Sequence, residues 1–502
     1  MSVKKNVIAN YIGRFLLILL SIIFIPLYIQ YIGIESYGLL GIYTMLVSMM
    51  MLVDVGMGQT IIREVARYSS ATLSDKEILD TLQTFRYIYF FIGLFAFLGI
   101  YFLSETIVLR WLNIEHLSFD IVVSSLEIMS LMLFINWLSI LYRNAIIGLQ
   151  YQVWLNVVDV TFALLSKVGV IFILLYISSS IVDFLLYQLC ISFLQLLTLA
   201  FKLNNIFSKI KYQSSFSLAV FHRLWKFASG VAITTLFGTL ISQADRLVLS
   251  SLLSLKTFGL YTMASVIGKA LSSLISPLTL AIRPKLTILY EKNNEVELIS
   301  FYHKSAQLMS IISMPIAMIL ILFSRELLWI WTDDMHLVNE IYIVVSLLVT
   351  GSLLNGMMHI PYSLQLSAGW SSLSAKSNVI LFFSIIPLLI YAVNRYGMVA
   401  APLLWVLVNL IYIVLIIHIM HKKLLKTEKW YWYKYDIIYI LLASSLLGIL
   451  SRILIDFSEE SKILILGEIM IAYCIVAVGA VLSANKYRDI FITYVFRRKK
   501  YA

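Results

Sequence analysis

Fourteen apolar runs, each about long enough to cross a bilayer, follow one another along almost the whole chain, and no other feature limits its fold as tightly. They fall at about 10–29, 37–56, 86–104, 121–141, 153–176, 181–201, 227–250, 258–281, 305–323, 338–358, 376–393, 398–418, 437–455 and 463–483. A helical span needs about 20 apolar residues, so the runs take about 280 of the 502 residues and leave about 15 for each connection or tail. No folded soluble domain fits in what remains. The fold class expected is therefore an all-α polytopic membrane protein with about 14 transmembrane helices. Composition agrees, at 61% hydrophobic and 13% charged residues with a mean hydropathy of +0.92.

The first run follows Lys4 and Lys5, is too long for a cleaved leader, and ends in Pro26-Leu27-Tyr28-Ile29-Gln30, so it reads as a span. An even number of spans puts both termini on one side, and the positive-inside rule says which. Of the 38 Lys and Arg residues, 29 lie on one set of segments, among them Arg14, Arg63, Arg67, Arg283 and the basic tail Arg497-Arg498-Lys499-Lys500. Six lie on the other set, and Lys167, Arg246 and Lys269 fall within spans. Both termini are thus expected in the cytoplasm, and the net charge of +11 reads as orientation rather than nucleic-acid binding. Cys190 and Cys474 both sit inside apolar runs, which leaves no basis for a disulfide framework or a Cys-based metal site. No metal or other cofactor is expected.

Two stretches repeat across the halves. Ser36-Tyr37-Gly38-Leu39, with Tyr43-Thr44-Met45 beyond it, opens the second run, and Thr257-Phe258-Gly259-Leu260-Tyr261-Thr262-Met263 opens the eighth. Gly38 precedes Arg63 by 25 residues, and Gly259 precedes Arg283 by 24. Six spans separate the pair, so the halves would be parallel repeats related by a pseudo-two-fold axis along the membrane normal. The division expected is an N-terminal lobe of six spans (1–212), a C-terminal lobe of six (213–425), and two appended spans with the basic tail (426–502).

The segment Pro26-Leu27-Tyr28-Ile29-Gln30-Tyr31-Ile32-Gly33-Ile34-Glu35-Ser36-Tyr37-Gly38 resembles the first outer loop of the Wzx-type polysaccharide flippases of the multidrug/oligosaccharidyl-lipid/polysaccharide exporter superfamily. Asp54-Val55-Gly56-Met57-Gly58 with Arg63-Glu64, Arg143-Asn144 to Gly148-Leu149-Gln150, Asp245-Arg246, and Tyr396-Gly397 to Pro402 continue the likeness in order over about residues 1–420. Gln30 departs from it, since many relatives carry arginine there. The resemblance implies two six-helix lobes around a cavity in a bacterial cytoplasmic membrane. It implies transport of undecaprenyl-pyrophosphate-linked oligosaccharide from the inner to the outer leaflet. The partners expected with it are membrane lipids, an H+ or Na+ counter-ion, and a polysaccharide polymerase with chain-length proteins, around a monomeric transport unit.

An ionised group at mid-membrane costs about 2.5–3.5 kcal/mol on insertion scales, so it normally faces a bundle interior or wet cavity. Lys269 lies near the middle of the eighth run, and at 100° per residue it shares one face with Thr262, Ser265, Ser272, Ser273 and Ser276. Lys167 is at similar depth in the fifth, beside a stripe of Gln152, Asn156, Asp159 and Ser166. The two ammonium groups are candidates for the pyrophosphate region, against the alternative of buried ion pairs. A Lys167–Asp159 pair would need contact across about 12 Å of rise, which is too far. Arg14 is a candidate for inner-leaflet capture or simple snorkelling, and Arg246 for the exit side. Asp159 and Glu127 are the coupling-ion candidates. Gate or hinge candidates are Asp54, Gly56, Gly58, Arg63, Asp245 and Pro277, the proline for bending the eighth helix. A cation-coupled multidrug exporter of the same superfamily is the first alternative. A polytopic glycosyltransferase or O-antigen polymerase is a weaker one, because it would need paired carboxylates or a phosphate clamp in a sizeable outer loop.

Overall fold

The computed structural model describes the chain except residues 1–2, 55, 209, 211, 213, 219–220, 223–238, 456–460 and 498–502, and describes only the backbone of 3–12, 14, 15, 18 and 494–497. Nearly all of what is described is α-helix. By contact density the chain divides into two compact units, residues 1–259 and 260–502. The three-part division read from the repeat is a division by sequence likeness, and we keep it as a proposal.

The first unit contains α1 (Val3–Asp54), α2 (Met57–Ser69), α3 (Asp75–Trp111), α4 (Phe119–Gly148), α5 (Gln152–Tyr176), α6 (Ile181–Phe207) and α7 (239–252), and it includes the start of α8 (Leu255–Glu291). The second contains the rest of α8, then α9 (Glu295–Leu322), α10 (Ser324–Thr332), α11 (Met335–Met357), α12 (His359–Ser367), α13 (Ser372–Tyr396), α14 (Ala400–Ile411) and α15 (Ile417–Leu424). It closes with α16 (Lys429–Tyr431), α17 (Tyr439–Leu454), α18 (Lys462–Ser483) and α19 (Asn485–Arg497).

Among the described residues, eleven helical stretches are long and apolar enough to cross a membrane, and they differ from the fourteen expected runs at three places. In α1 the first two runs are joined at one residue, Gly33 (φ 80°, ψ 159°), within the gap of residues 30–36 that separates them in the sequence. The eleventh and twelfth runs share the stretch Ser372–Leu424, which turns at Gly397 (φ 61°). Of the seventh run, only the part from 239 onward is described.

Polar residues start the helices where the apolar pattern begins. Ser74 and Glu77 form a capping box at α3, Ser118 and Ser180 cap α4 and α6, and Asn294 caps α9. The first unit is centred on Trp137, which stacks on Tyr89 at 4.8 Å and donates its indole N–H to the Tyr89 carbonyl at 2.9 Å. α7 and the start of α8 are fastened to the α3–α4 turn. The Asn113 side chain donates to the carbonyls of Ser251 (3.1 Å) and Leu253 (3.3 Å), and Asn113 O accepts from Leu255 N at 2.8 Å. Glu35, almost fully buried, accepts three backbone N–H groups of that turn, from Glu115, His116 and Leu117.

In the second unit the last two spans pack on α9. An apolar seam joins Ile319 and Phe323 to Ile465, Ile469, Ala472 and Val476. At one end of the seam Arg452 meets Glu326 at 2.8 Å and Lys462 meets Asp333 at 2.6 Å.

Candidate functional site

In the first unit the polar stripe of α5 is largely used by neighbouring helices. Asn156 lies against Gly13 of α1, where an added Cβ would come within 2.8 Å of its Oδ1. Ser166 donates to Gln188 of α6 at 2.6 Å. Asp159 forms a two-pronged pair with Arg143 of α4, both N–O distances being 2.6 Å, and also accepts from Gln195 at 3.1 Å. A coupling cation at Asp159 would have to displace a guanidinium. Glu127 is different: it is half-buried on α4, and its carboxylate meets no partner among the described residues.

Lys167 is half-buried and faces no carboxylate among the described residues. Its Nζ lies 6.0 Å from the centre of the Tyr28 ring, whose hydroxyl donates to the Lys167 carbonyl at 3.3 Å. Tyr28 in turn meets Phe184 edge-on at 5.1 Å. This ammonium is therefore held by an aromatic face rather than by charge. Arg246 on α7 is 6% exposed and donates to the Thr44 hydroxyl at 3.2 Å, which ties the seventh expected run to the second half of α1. Asp245 beside it is half-buried. The Arg14 side chain lies outside the described residues.

The expected hinge around Asp54 is a tied corner. Asp54 accepts from the Tyr89 hydroxyl at 2.5 Å and from Gly58 N at 3.3 Å. Gly56 takes φ 78° at the start of α2, and Gly58 presses on Asn144, whose Nδ2 lies 2.4 Å from where a Cβ would stand. Beyond the corner, Arg63 and Arg67 both close on the fully buried Glu64, at 2.7 and 3.0 Å.

In the second unit the α8 stripe divides along its length. Thr262 and Ser265 are buried, and the Ser265 hydroxyl donates to the Thr262 carbonyl at 2.8 Å. Lys269 is exposed, while Ser272, Ser276 and Pro277 are half-buried. Gly268, one residue from Lys269, abuts Leu348 of α11. The helix continues through Pro277 and Pro284 to Glu291.

The sequence profile described as "Polysaccharide biosynthesis protein" matches residues 3–288, more than half of the chain. The chain belongs to this family. A relative named "Putative O-antigen transporter", from Shigella flexneri, is 23% identical over 420 residues, covering 81% of this chain and 94% of that protein. The family's fold is seen in solved structures. "Lipid II flippase MurJ, inward closed conformation" superposes with a TM-score of 0.71 at 17% identity, covering 96% of this chain and 99% of that one. An inward-facing multidrug resistance MATE family transporter of the MOP superfamily gives 0.64 at 11% identity, covering 81% and 96%. The relative and these structures are named as transporters and a flippase, and the chain is a multi-pass membrane protein of that fold. Several contacts were not foreseen from the sequence, namely Tyr28 at Lys167, Arg143 at Asp159, and Glu64 between its two arginines. Arg143 and Glu64 stood inside quoted family segments, but nothing local to them named a partner.

Proposed function

We propose that this protein moves undecaprenyl-pyrophosphate-linked oligosaccharide repeat units from the inner to the outer leaflet of a bacterial cytoplasmic membrane, by alternating access, for surface polysaccharide synthesis. Family membership and the O-antigen transporter relative support a lipid-linked glycan as cargo. The observation that carries the reading is Lys167, an ammonium in the body of a span with an aromatic neighbour and no carboxylate among the described residues. A pyrophosphate leaving water needs positive charge that is not already neutralised. Lys269, exposed on α8 beside the half-buried Ser272 and Ser276, is the corresponding candidate in the other half of the chain. Arg14 and Arg246 serve the inner and outer ends. Glu127, with its unmatched carboxylate, is the better coupling-cation candidate than Asp159, and H+ or Na+ is the ion.

The test is to delete the gene and restore it with Lys167→Ala or Lys269→Ala. Each variant inserts normally, and surface glycan falls at least about tenfold, the effect of losing about 1.4 kcal/mol of charge-assisted contact. Lipid-linked glycan accumulates on the inner leaflet. Normal glycan from both variants overturns the reading. Unchanged glycan on deletion, together with raised drug susceptibility, favours the multidrug exporter, which the MATE likeness of the fold admits.

A further inference from the structure

Three titratable side chains meet inside the second unit, at a place the transport reading does not use. His303, near the start of α9, is almost wholly buried. Its Nδ1 stands 2.5 Å from Asp436 Oδ2, and its Nε2 stands 3.1 Å from Glu428 Oε2. A neutral imidazole has one N–H and one lone pair, so it can donate to only one of these carboxylates and must present the lone pair to the other. Both contacts together require one proton beyond those of a neutral ring between two carboxylates, carried as an imidazolium or as one protonated carboxyl facing the lone pair. His421, nearby, shows the contrast. Its Nδ1 faces the Ile417 carbonyl at 3.0 Å and so must donate, and its Nε2 is left to accept from the Tyr302 hydroxyl at 3.1 Å, as a neutral ring does.

The cluster is built into its surroundings. Asp436 is fully buried in a π-helical turn, Trp432–Ile438, and its backbone carbonyl accepts from Ser310 at 2.6 Å. Such turns are rare and recur at functional positions. Asp436 Oδ1 accepts from Gln307 at 2.9 Å, and Gln307 also reaches Asn485 (2.6 Å) and the backbone N–H of Lys486 (3.0 Å). Asn485 donates to Tyr431, whose ring lies 4.4 Å from that of His303. The other charged or titratable groups around the cluster are Tyr302 on α9, His421, Lys429 and Tyr431 on the connecting side, and Lys486 on α19.

We propose that His303, Asp436 and Glu428 form a proton-binding site whose occupancy fastens the last two spans to α9. When the proton leaves, one carboxylate must face a lone pair. Asp436 keeps Gln307, and among the described residues Glu428 keeps only the Thr427 hydroxyl, at 2.8 Å. Glu428 is also the more exposed of the two, so it is the contact that opens and the route by which the proton exchanges with water. The connection from Leu425 to Glu428, which leads into the last two spans, then loosens.

Hydrogen exchange on the full-length protein in lipid nanodiscs tests this, with labelling times scaled for the intrinsic pH dependence of exchange. Between about pH 5.5 and about 8.5, amides 425–438 exchange about tenfold faster at the upper end. His303→Gln and Glu428→Gln each abolish that difference, and His421→Gln leaves it in place. Should His303→Gln fail to accumulate, Glu428→Gln alone decides, because that side chain is only partly buried. A scaled exchange rate that is flat with pH in the unaltered protein overturns the proposal. So does an unchanged pH response in Glu428→Gln, or its loss in His421→Gln.

Discussion

Lys167 and Asp159 sit eight residues apart on α5, and the spacing correctly separated them: Asp159 is taken by Arg143 and Gln195, while Lys167 rests on Tyr28. Helical geometry within one element was enough for that exclusion. It could not supply the real partner, because Arg143 reaches Asp159 from α4 across the turn at Gln150, a tertiary relation that no local pattern encodes. The two positions should answer differently to substitution. Asp159→Asn leaves a half-buried guanidinium without its carboxylate and should cost about 1–3 kcal/mol, read as a lower thermal midpoint in detergent or nanodiscs. Lys167→Ala removes a charge that nothing neutralises among the described residues, so the midpoint should move by no more than about 0.5 kcal/mol equivalent while glycan export collapses. A Lys167→Ala protein as destabilised as Asp159→Asn would make this lysine structural and remove it from the proposed site.

At the scale of elements, Gly38 and Gly259, paired by the likeness of their segments in the sequence, also stand together in the structure. A Cβ on Gly38 would stand 2.4 Å from the Leu255 carbonyl oxygen, and one on Gly259 would stand 2.3 Å from the Ile34 carbonyl oxygen and 3.2 Å from Gly38 N. The two repeated glycines meet each other, backbone to backbone, where α1 and the start of α8 cross. A repeat visible in the chain therefore marks a close approach that only residues without side chains permit. The obstructing atoms are main-chain carbonyls, which cannot swing aside, so Gly38→Ala and Gly259→Ala should each force the helices apart and cost about 1–3 kcal/mol in resistance to unfolding. Gly33→Ala should lose a similar amount for a different reason. Nothing lies within 4 Å of its Cβ position, but φ 80° with ψ 159° is a conformation that other residues essentially do not adopt. Gly99→Ala, in open space within α3, is the control and should be neutral or slightly stabilising, by up to about 1 kcal/mol. Equal losses at Gly38 and Gly99 would show that the crossing can open without cost. The place of this break was legible as the gap between the first two apolar runs, but that a single glycine makes it, with helix on either side, was not.

For the whole molecule, hydropathy revealed the membrane class and nearly every long helix, since burial in lipid depends on composition that can be summed along the chain. How firmly the last two spans belong to the second unit was not legible, because the groups that bind them are scattered from residue 303 to residue 485. Apolar and polar parts of that contact should matter unequally. Removing 426–502 would uncover Ile319 and Phe323, but lipid tails are as apolar as the side chains they would replace, so the seam itself adds little to the cost. Gln307 and Ser310 lie within the expected span 305–323 and lose Asp436 and Asn485 together. An amide left without partners in hydrocarbon costs several kcal/mol, on the order of 2–7. A chain ending at Leu425 should therefore accumulate several-fold less than the full chain, measured by quantitative immunoblot of membranes. Replacing the stranded groups, Gln307→Leu with Ser310→Ala, should restore much of the loss in the shortened chain while destabilising the full-length one, where it leaves Asp436 short of a donor. If the substitutions lower accumulation equally in both backgrounds, the apolar seam and not the polar end holds the last two spans in place.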